Sequence, residues 1–220
     1  MISEALFMDN MEYMAKFPDG FFDLAPVDPP YGIGEDGGKS LSRCKSTGVK
    51  ASKIDKQNWD IQSPPIEYFN ELFRVSKHQI IWGANHFISK IPYDSSSWIV
   101  WDKDNGENDF ADCELAWTSF KTAVRRYKYK WHGMLQQNMK YKEKRIHPTQ
   151  KPVGLYEWIY AKYLPHGGKV LDTHLGSGSN RIAADKAGNI DFYSCDNNLK
   201  HFNDQEVWYK NYKKQLVLQF

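Results

Sequence analysis

A chain of 220 residues suits one α/β domain carrying a short insertion, and it is long enough to bury a sizeable core. Apolar runs of only a few residues exclude a membrane-spanning helix, and the start, MISEALFMDN, lacks the basic-then-apolar design of a signal peptide. Three widely spaced cysteines, Cys44, Cys113 and Cys195, form no CxxC pair; they point away from a zinc site or a disulfide framework, no metal is expected, and a reducing cytoplasm is the expected setting.

In chain order, EALFM (4–8) reads as a strand and NMEYMAKF (10–17) as a short helix capped by Asp9 or Asn10. FFDLAPV (21–27) reads as a second strand that runs into Asp28-Pro29-Pro30-Tyr31. Residues 32–63 are rich in Gly, Ser and Lys without periodicity, which predicts a long functional loop. PPIEYFNELFRVS (64–76) is an amphipathic helix opened by proline, and HQIIWGA (78–84) and SSWIVWD (96–102) are strands. DCELAWTSF (112–120) and TAVRRYKYKW (122–131) read as an antiparallel pair. A helix over 153–164, a strand KVLDT (169–173), a helix over 179–188 ended by Gly188, a strand DFYSCD (191–196) and a helix over 199–214 complete the chain. This alternation predicts a doubly wound, mostly parallel sheet with helices on both faces, as one domain over 1–220, with 103–146 as a small insertion.

Two strand ends carry the chemistry. VLDTHLGSGSN is strand, tight turn and helix: Gly176 and Gly178 let the backbone turn sharply and let a ligand approach it, and the helix start offers free N–H groups. Asp172 ends that strand, and Asp196 ends the next, where a carboxylate can accept from both ribose hydroxyls. No GK[ST] follows, so the turn is not a P-loop, and Arg181 stands where a dinucleotide turn would carry its third glycine. A nucleoside without phosphates fits better. Asp-Pro-Pro-Tyr suits chemistry on an exocyclic amine, a poor nucleophile until its lone pair localises. The Asp28 carboxylate and the Pro29 carbonyl are two acceptors for its N–H groups; the prolines stiffen the backbone, and Tyr31 offers a face for an extruded base.

With these residues in hand, the chain resembles the amino-group DNA methyltransferases that use S-adenosyl-L-methionine. The order, with DPPY ahead of the glycine turn, resembles their circularly permuted β group, and the phage-type and restriction-modification-type adenine-N6 enzymes are most similar. The resemblance covers nearly the whole chain and implies a seven-stranded, Rossmann-like methyltransferase sheet. It implies that Asp9 lies near the adenosine of the cofactor and that Thr149, Gln150 and Lys151 of HPTQKPVGL (147–155) approach its methionine end. LDTHLGSGSN is similar to the family's DPFxGSGTT, so Asp28, Asp172, Thr173, His174, Gly176, Gly178, Ser179 and Asp196 are the remaining implied cofactor residues. Thr173 and His174 depart from the usual Pro-Phe, and Ser179 and Asn180 replace two threonines. Aspartate in the first position of DPPY leans toward adenine N6; cytosine N4 stays open, as does a non-catalytic nucleic-acid-binding module.

The implied partner is double-stranded DNA, and a homodimer is left open. Arg125, Arg126, Lys128 and Lys130 alternate with Tyr127, Tyr129 and Trp131, which on a strand puts one set toward phosphate; Lys140, Lys142, Lys144 and Arg145 can act likewise. A charged outer strand that guards against edge pairing is the plainer alternative. The loop 35–60 is expected to close over the extruded base with Trp59 as a stacking residue. The tail QLVLQF, Gln215 to Phe220, resembles peptides that bacterial replication sliding clamps hold, the alternative being a tail folded onto the sheet.

Overall fold

The structure is a computed structural model and describes residues 1–35, 58–106, 111–132 and 135–217. Its centre is a mixed sheet made of two ladders. The first holds β1 (Ser3–Phe7), β10 (Ile190–Asp196) and β9 (Gly168–Asp172), all parallel. The second runs β2 (Ala25–Val27), β3 (Gln79–Trp82), β5 (Cys113–Thr118), β4 (Trp98–Asp102) and β6 (Arg125–Lys128). A parallel bridge between Leu24 and Val170, with Leu171 N donating to Leu24 O at 3.0 Å, sets β2 beside β9 and joins the ladders edge to edge. Among the described residues eight strands therefore lie side by side where seven were expected, and only β5 runs against the rest.

Strand alternation divides the core into two layers. Ile80, Trp82, Ile99, Trp101, Val170 and Phe192 face α3 (Val153–Tyr163) and α4 (Ser179–Ala187). Ile81, Trp117, Leu171 and Tyr193 face α1 (Asn10–Met14) and α2 (Ile66–Val75). The α2 residues Tyr68, Phe69, Leu72 and Val75 recur at helical spacing and are buried, which is why this segment folds as an amphipathic helix. Asp9 caps α1, its Oδ1 accepting Met11 N at 2.8 Å and Glu12 N at 3.3 Å. Gly188, at φ 75°, stops α4 in the left-handed region, and α5 (Leu199–Val217) follows β10.

Two expectations need correcting. The strand over 21–27 shrinks to Ala25–Val27, because Phe22 and Leu24 make isolated bridges to Ser76 and Val170 rather than a continuous ladder. Residues 112–131 do not pair with themselves: β5 inserts between β3 and β4, and β6 adds parallel to β4 at the edge. Within 103–146, Cys113–Thr118 and Arg125–Lys128 are thus strands of the sheet, and β7 (Trp131–His132) and β8 (Leu135–Gln136) form a separate two-stranded ladder. Gln215 lies within α5, while 218–220 of the proposed clamp peptide and 36–57 of the proposed base-covering loop lie outside the described residues. No helix among the described residues is long and apolar enough to cross a membrane.

Candidate active site

Parallel strands deliver their carboxyl ends to one rim, and the antiparallel β5 delivers its start there. The rim thus carries, in spatial order, Asp9 after β1, Asp196, Asp172, Asp28, Gly83 after β3, Glu114 of β5, and Lys103 after β4. Asp28 and Asp172 terminate adjacent strands. Asn180, at the start of α4, stitches those ends together: its Nδ2 donates to Asp172 Oδ2 at 2.8 Å and to Pro26 O at 3.2 Å, and the Tyr160 hydroxyl donates to its Oδ1. An amide does this where a shorter threonine hydroxyl could not span both strands.

Around Asp28 the side chains form an alternating charge cluster. Lys151 Nζ lies 2.6 Å from Asp28 Oδ1 and 3.0 Å from Glu114 Oε2, and Lys103 Nζ lies 2.6 Å from Glu114 Oε1. Tyr31 donates its hydroxyl to Asp28 Oδ1 at 2.8 Å and accepts from Lys151 Nζ at 3.1 Å. The Tyr31 ring stacks on His86 at 5.2 Å between centroids. It also lies against Gly83, where a Cβ would stand 2.1 Å from Cε1. Burial raises the Asp28 carboxyl, and Lys151 only partly offsets this while Glu114 adds to it. Burial works against the Lys151 ammonium too, but its two carboxylates prevail and raise its pKa. Burial likewise opposes the Glu114 carboxylate, yet the two lysines draw it down to about 2. Behind Tyr31, the loop is latched by Asp60, whose carboxylate accepts Gly32 N at 2.8 Å and Glu35 N at 2.7 Å.

The glycine turn forms the second half of the crevice. Gly176 (φ 53°) and Gly178 (φ 78°) both sit in the left-handed region, which is why glycine stands at these two places. Asp196 holds the turn: its Oδ2 accepts Gly176 N and its Oδ1 accepts Asn198 N, both at 2.8 Å, and burial raises its pKa. Asp172 is pushed up to about 7 by burial, with Asn180 and His174 N pulling against this. His174 is pinned at both ends, by Thr173 Oγ1 at 2.9 Å and Asn10 Nδ2 at 3.1 Å, and burial lowers its pKa to about 4, so the ring is neutral at pH 7. Thr173 also meets the Tyr68 hydroxyl at 2.7 Å, and Ser179 is buried with its Oγ 2.9 Å from Ser177 Oγ. No group of three or more metal-ligating side chains occurs among the described residues.

The segment 147–152 divides between the two halves. Lys151 reaches Asp28. Gln150 turns back on its own loop, with Oε1 accepting Ile146 N at 2.9 Å, so it is a loop brace, and Thr149 bonds His147 Nδ1 at 3.2 Å. His147 Nε2 meets His201 Nδ1 at 3.2 Å beside Gly176, and Trp59 packs on both rings, 5.2 Å and 6.0 Å between centroids. The ring of Trp59, expected to stack on an extruded base, lies against these two histidines. On β6, Tyr127 stacks on Trp158 of α3 and on Tyr129 just beyond the strand, while Arg125, Arg126 and Lys128 are exposed. Lys128 and Lys130 already share Asp104, at 2.8 Å and 3.2 Å. Lys140 sits over the Tyr141 ring, and Lys140, Lys142, Lys144 and Arg145 are exposed.

Sequence reasoning missed Glu114, Lys103, Asp60, His86 and the contact of His147 with His201, and marked Asn180 only as a replaced threonine. Glu114 left a trace, as a charge inside an otherwise apolar strand core, CELAW.

Three solved structures share this architecture. That of M1.HpyAVI in complex with SAM aligns at a TM-score of 0.59 and 20% identity, over 94% of this chain and 98% of that one. TTHA0409 of Thermus thermophilus, solved with S-adenosyl-L-methionine, aligns at 0.58 and 16%, over 96% and 94%. The cytosine-N4-specific PvuII DNA methyltransferase aligns at 0.61 and 10%, over 94% and 86%. At these identities the likeness speaks for the fold. None of the curated proteins compared matches this chain. The DNA methylase family pattern matches residues 76–206, more than half of the chain; it takes in Glu114, HPTQKP, the glycine turn and Asp196, and begins after Tyr31. On that match, the chain belongs to the N6/N4 DNA methylase family.

Proposed function

We propose that this chain transfers a methyl group from S-adenosyl-L-methionine to the exocyclic amino group of a DNA base turned out of its duplex, with adenine N6 as the target. The observation that carries the reading is the adjacency of β2 and β9, which puts Asp28 and the glycine turn on one rim of one sheet. The turn fits a nucleoside-bearing donor: Gly176 carries no side chain to block approach, Asp196 and Asp9 place carboxylates at neighbouring strand ends, and neutral His174 offers a flat ring. When bound, this cofactor supplies an electrophilic methyl group on a sulfonium.

The chain's own residues do the rest. Asp28 and the Pro29 carbonyl accept the two amino N–H groups and so localise the nitrogen lone pair toward the donor side. Tyr31 supplies the stacking face, steadied by His86. No base has to act first, because the nitrogen becomes acidic once methylated and then yields its proton to Asp28 or to water. Binding of the duplex falls to Arg125, Arg126, Lys128, Lys130, Lys140 and Lys142. The end of β6 is on the same rim as Asp28, four strand spacings or roughly 19 Å away.

The test is nucleoside mass spectrometry of DNA incubated with the chain and S-adenosyl-L-methionine. N6-methyladenine is expected; N4-methylcytosine replaces the base, and no methylated nucleoside overturns the reading. Asp28→Ala is expected to abolish turnover while calorimetric binding of S-adenosyl-L-methionine persists; retained turnover overturns the role of Asp28.

A further inference from the structure

Asp28 does not meet its cation alone. The chain of contacts Asp28–Lys151–Glu114–Lys103 alternates in sign, spans the loop after β2, the HPTQKP segment, β5 and the end of β4, and carries two positive and two negative groups. Lys151 is buried, Glu114 and Lys103 are partly buried, and Lys103 also lies over the Trp101 ring at 5.2 Å. Lys151 in turn sits over the rings of Trp82 and Tyr31, at 5.3 Å and 5.5 Å, so its ammonium has aromatic walls and two carboxylate partners.

We propose that Glu114 and Lys103 are positioning residues that act on Asp28 through Lys151: they anchor the lysine ammonium at the acceptor oxygen and thereby set how readily that oxygen takes a proton or an amino N–H. The inference rests on the reading of Asp28 as the acceptor for the target amine. A buried ammonium held by one carboxylate leans wholly on it; a second carboxylate shares the charge and fixes the ammonium between the two. Lys103 restores neutrality and keeps Glu114 ionised. The other groups that face Asp28 are Tyr31 on its own loop, Tyr156 of α3, Tyr68 of α2 and Asp172 of β9, of which only Asp172 changes charge below pH 8.

The signature of such a relay is that its two members move Asp28 in opposite directions. In Glu114→Gln a negative neighbour is lost and Lys151 belongs wholly to Asp28, so the Asp28 titration falls by about one pH unit; in Lys103→Met a positive charge is lost and the titration rises. Both are read by NMR of aspartate-labelled full-length chain without DNA, and again as the acid limb of the methylation rate against pH. Opposite displacements support the proposal. Unmoved midpoints, or displacements of one sign in both variants, overturn it. Because the NMR arm needs no turnover, a wild-type chain that methylates nothing defeats the functional reading and leaves the relay to be judged on the titration. A thermal melt confirms that each variant is folded, and should Glu114→Gln not fold, the Lys103→Met displacement decides.

Discussion

Gly83→Ala probes the seat of Tyr31. Gly83 has φ 68°, a conformation that costs an L side chain about 1–2 kcal/mol. Its added methyl would stand 2.1 Å, 2.4 Å and 2.4 Å from Cε1, Cδ1 and Cζ of Tyr31, against roughly 3.5–4.0 Å for an ordinary carbon contact. The ring must withdraw by more than about 1 Å. That carries its hydroxyl away from Asp28 and Lys151 and uncouples the ring from His86. For a domain of this size the strain lowers the melting temperature by roughly 2–8 °C. A displacement of about 1 Å at a reacting group costs on the order of a hundredfold in rate. The assay is single-turnover transfer of labelled methyl from S-adenosyl-L-methionine to duplex DNA, alongside calorimetry of S-adenosyl-L-methionine binding, which should be unchanged because Gly83 borders the Asp28 half of the crevice. Wild-type turnover in the variant would show that the position of Tyr31 has no bearing on catalysis.

Two further outcomes follow from the site. The folded pKa of Asp172 lies near 7, above the ordinary 3.8, so this group is destabilising once ionised: its cost grows as pH rises from about 4 through 7, at about 1.4 kcal/mol per pH unit of displacement. Asp172→Asn should therefore melt higher than wild type at pH 8 and lose that advantage at pH 4; an advantage independent of pH would refute the argument. Arg125→Ala combined with Arg126→Ala should reduce the slope of log affinity for DNA against log salt by roughly 2, leaving the methylated base the same; an unchanged slope would remove β6 from the DNA interface.

Much of the frame was legible in the residues because it is written locally. The amphipathic face of 66–75, the Asp9 cap, the glycine turn and the Gly188 stop each depend on neighbours a few positions away. What escaped was non-local. Nothing in DCELAWTSF says that it inserts between β3 and β4, since backbone partners of a strand are chosen by tertiary packing. Glu114 and Lys103 carry no local sign of a role, since only the fold brings Lys151 between Asp28 and Glu114. The contacts of Trp59 with His147 and His201 are hidden in the same way, because those partners come from segments far along the chain.

The pairing of β1 with β10 has a consequence for how the protein is made. Ile2 N donates to Asp191 Oδ1 at 2.7 Å across 189 positions, so β1 leaves the ribosome well before the strand it pairs with. At ordinary synthesis rates of about 5–20 residues per second, β1 waits roughly ten to forty seconds with its hydrogen-bonding edge uncovered. The strands from β2 to β6 meanwhile find their ladder partners within residues 25–128, with one edge of β2 left for β9. The ladder that presents Asp28 can thus begin to form on the nascent chain before β10 emerges and completes the half that carries the glycine turn.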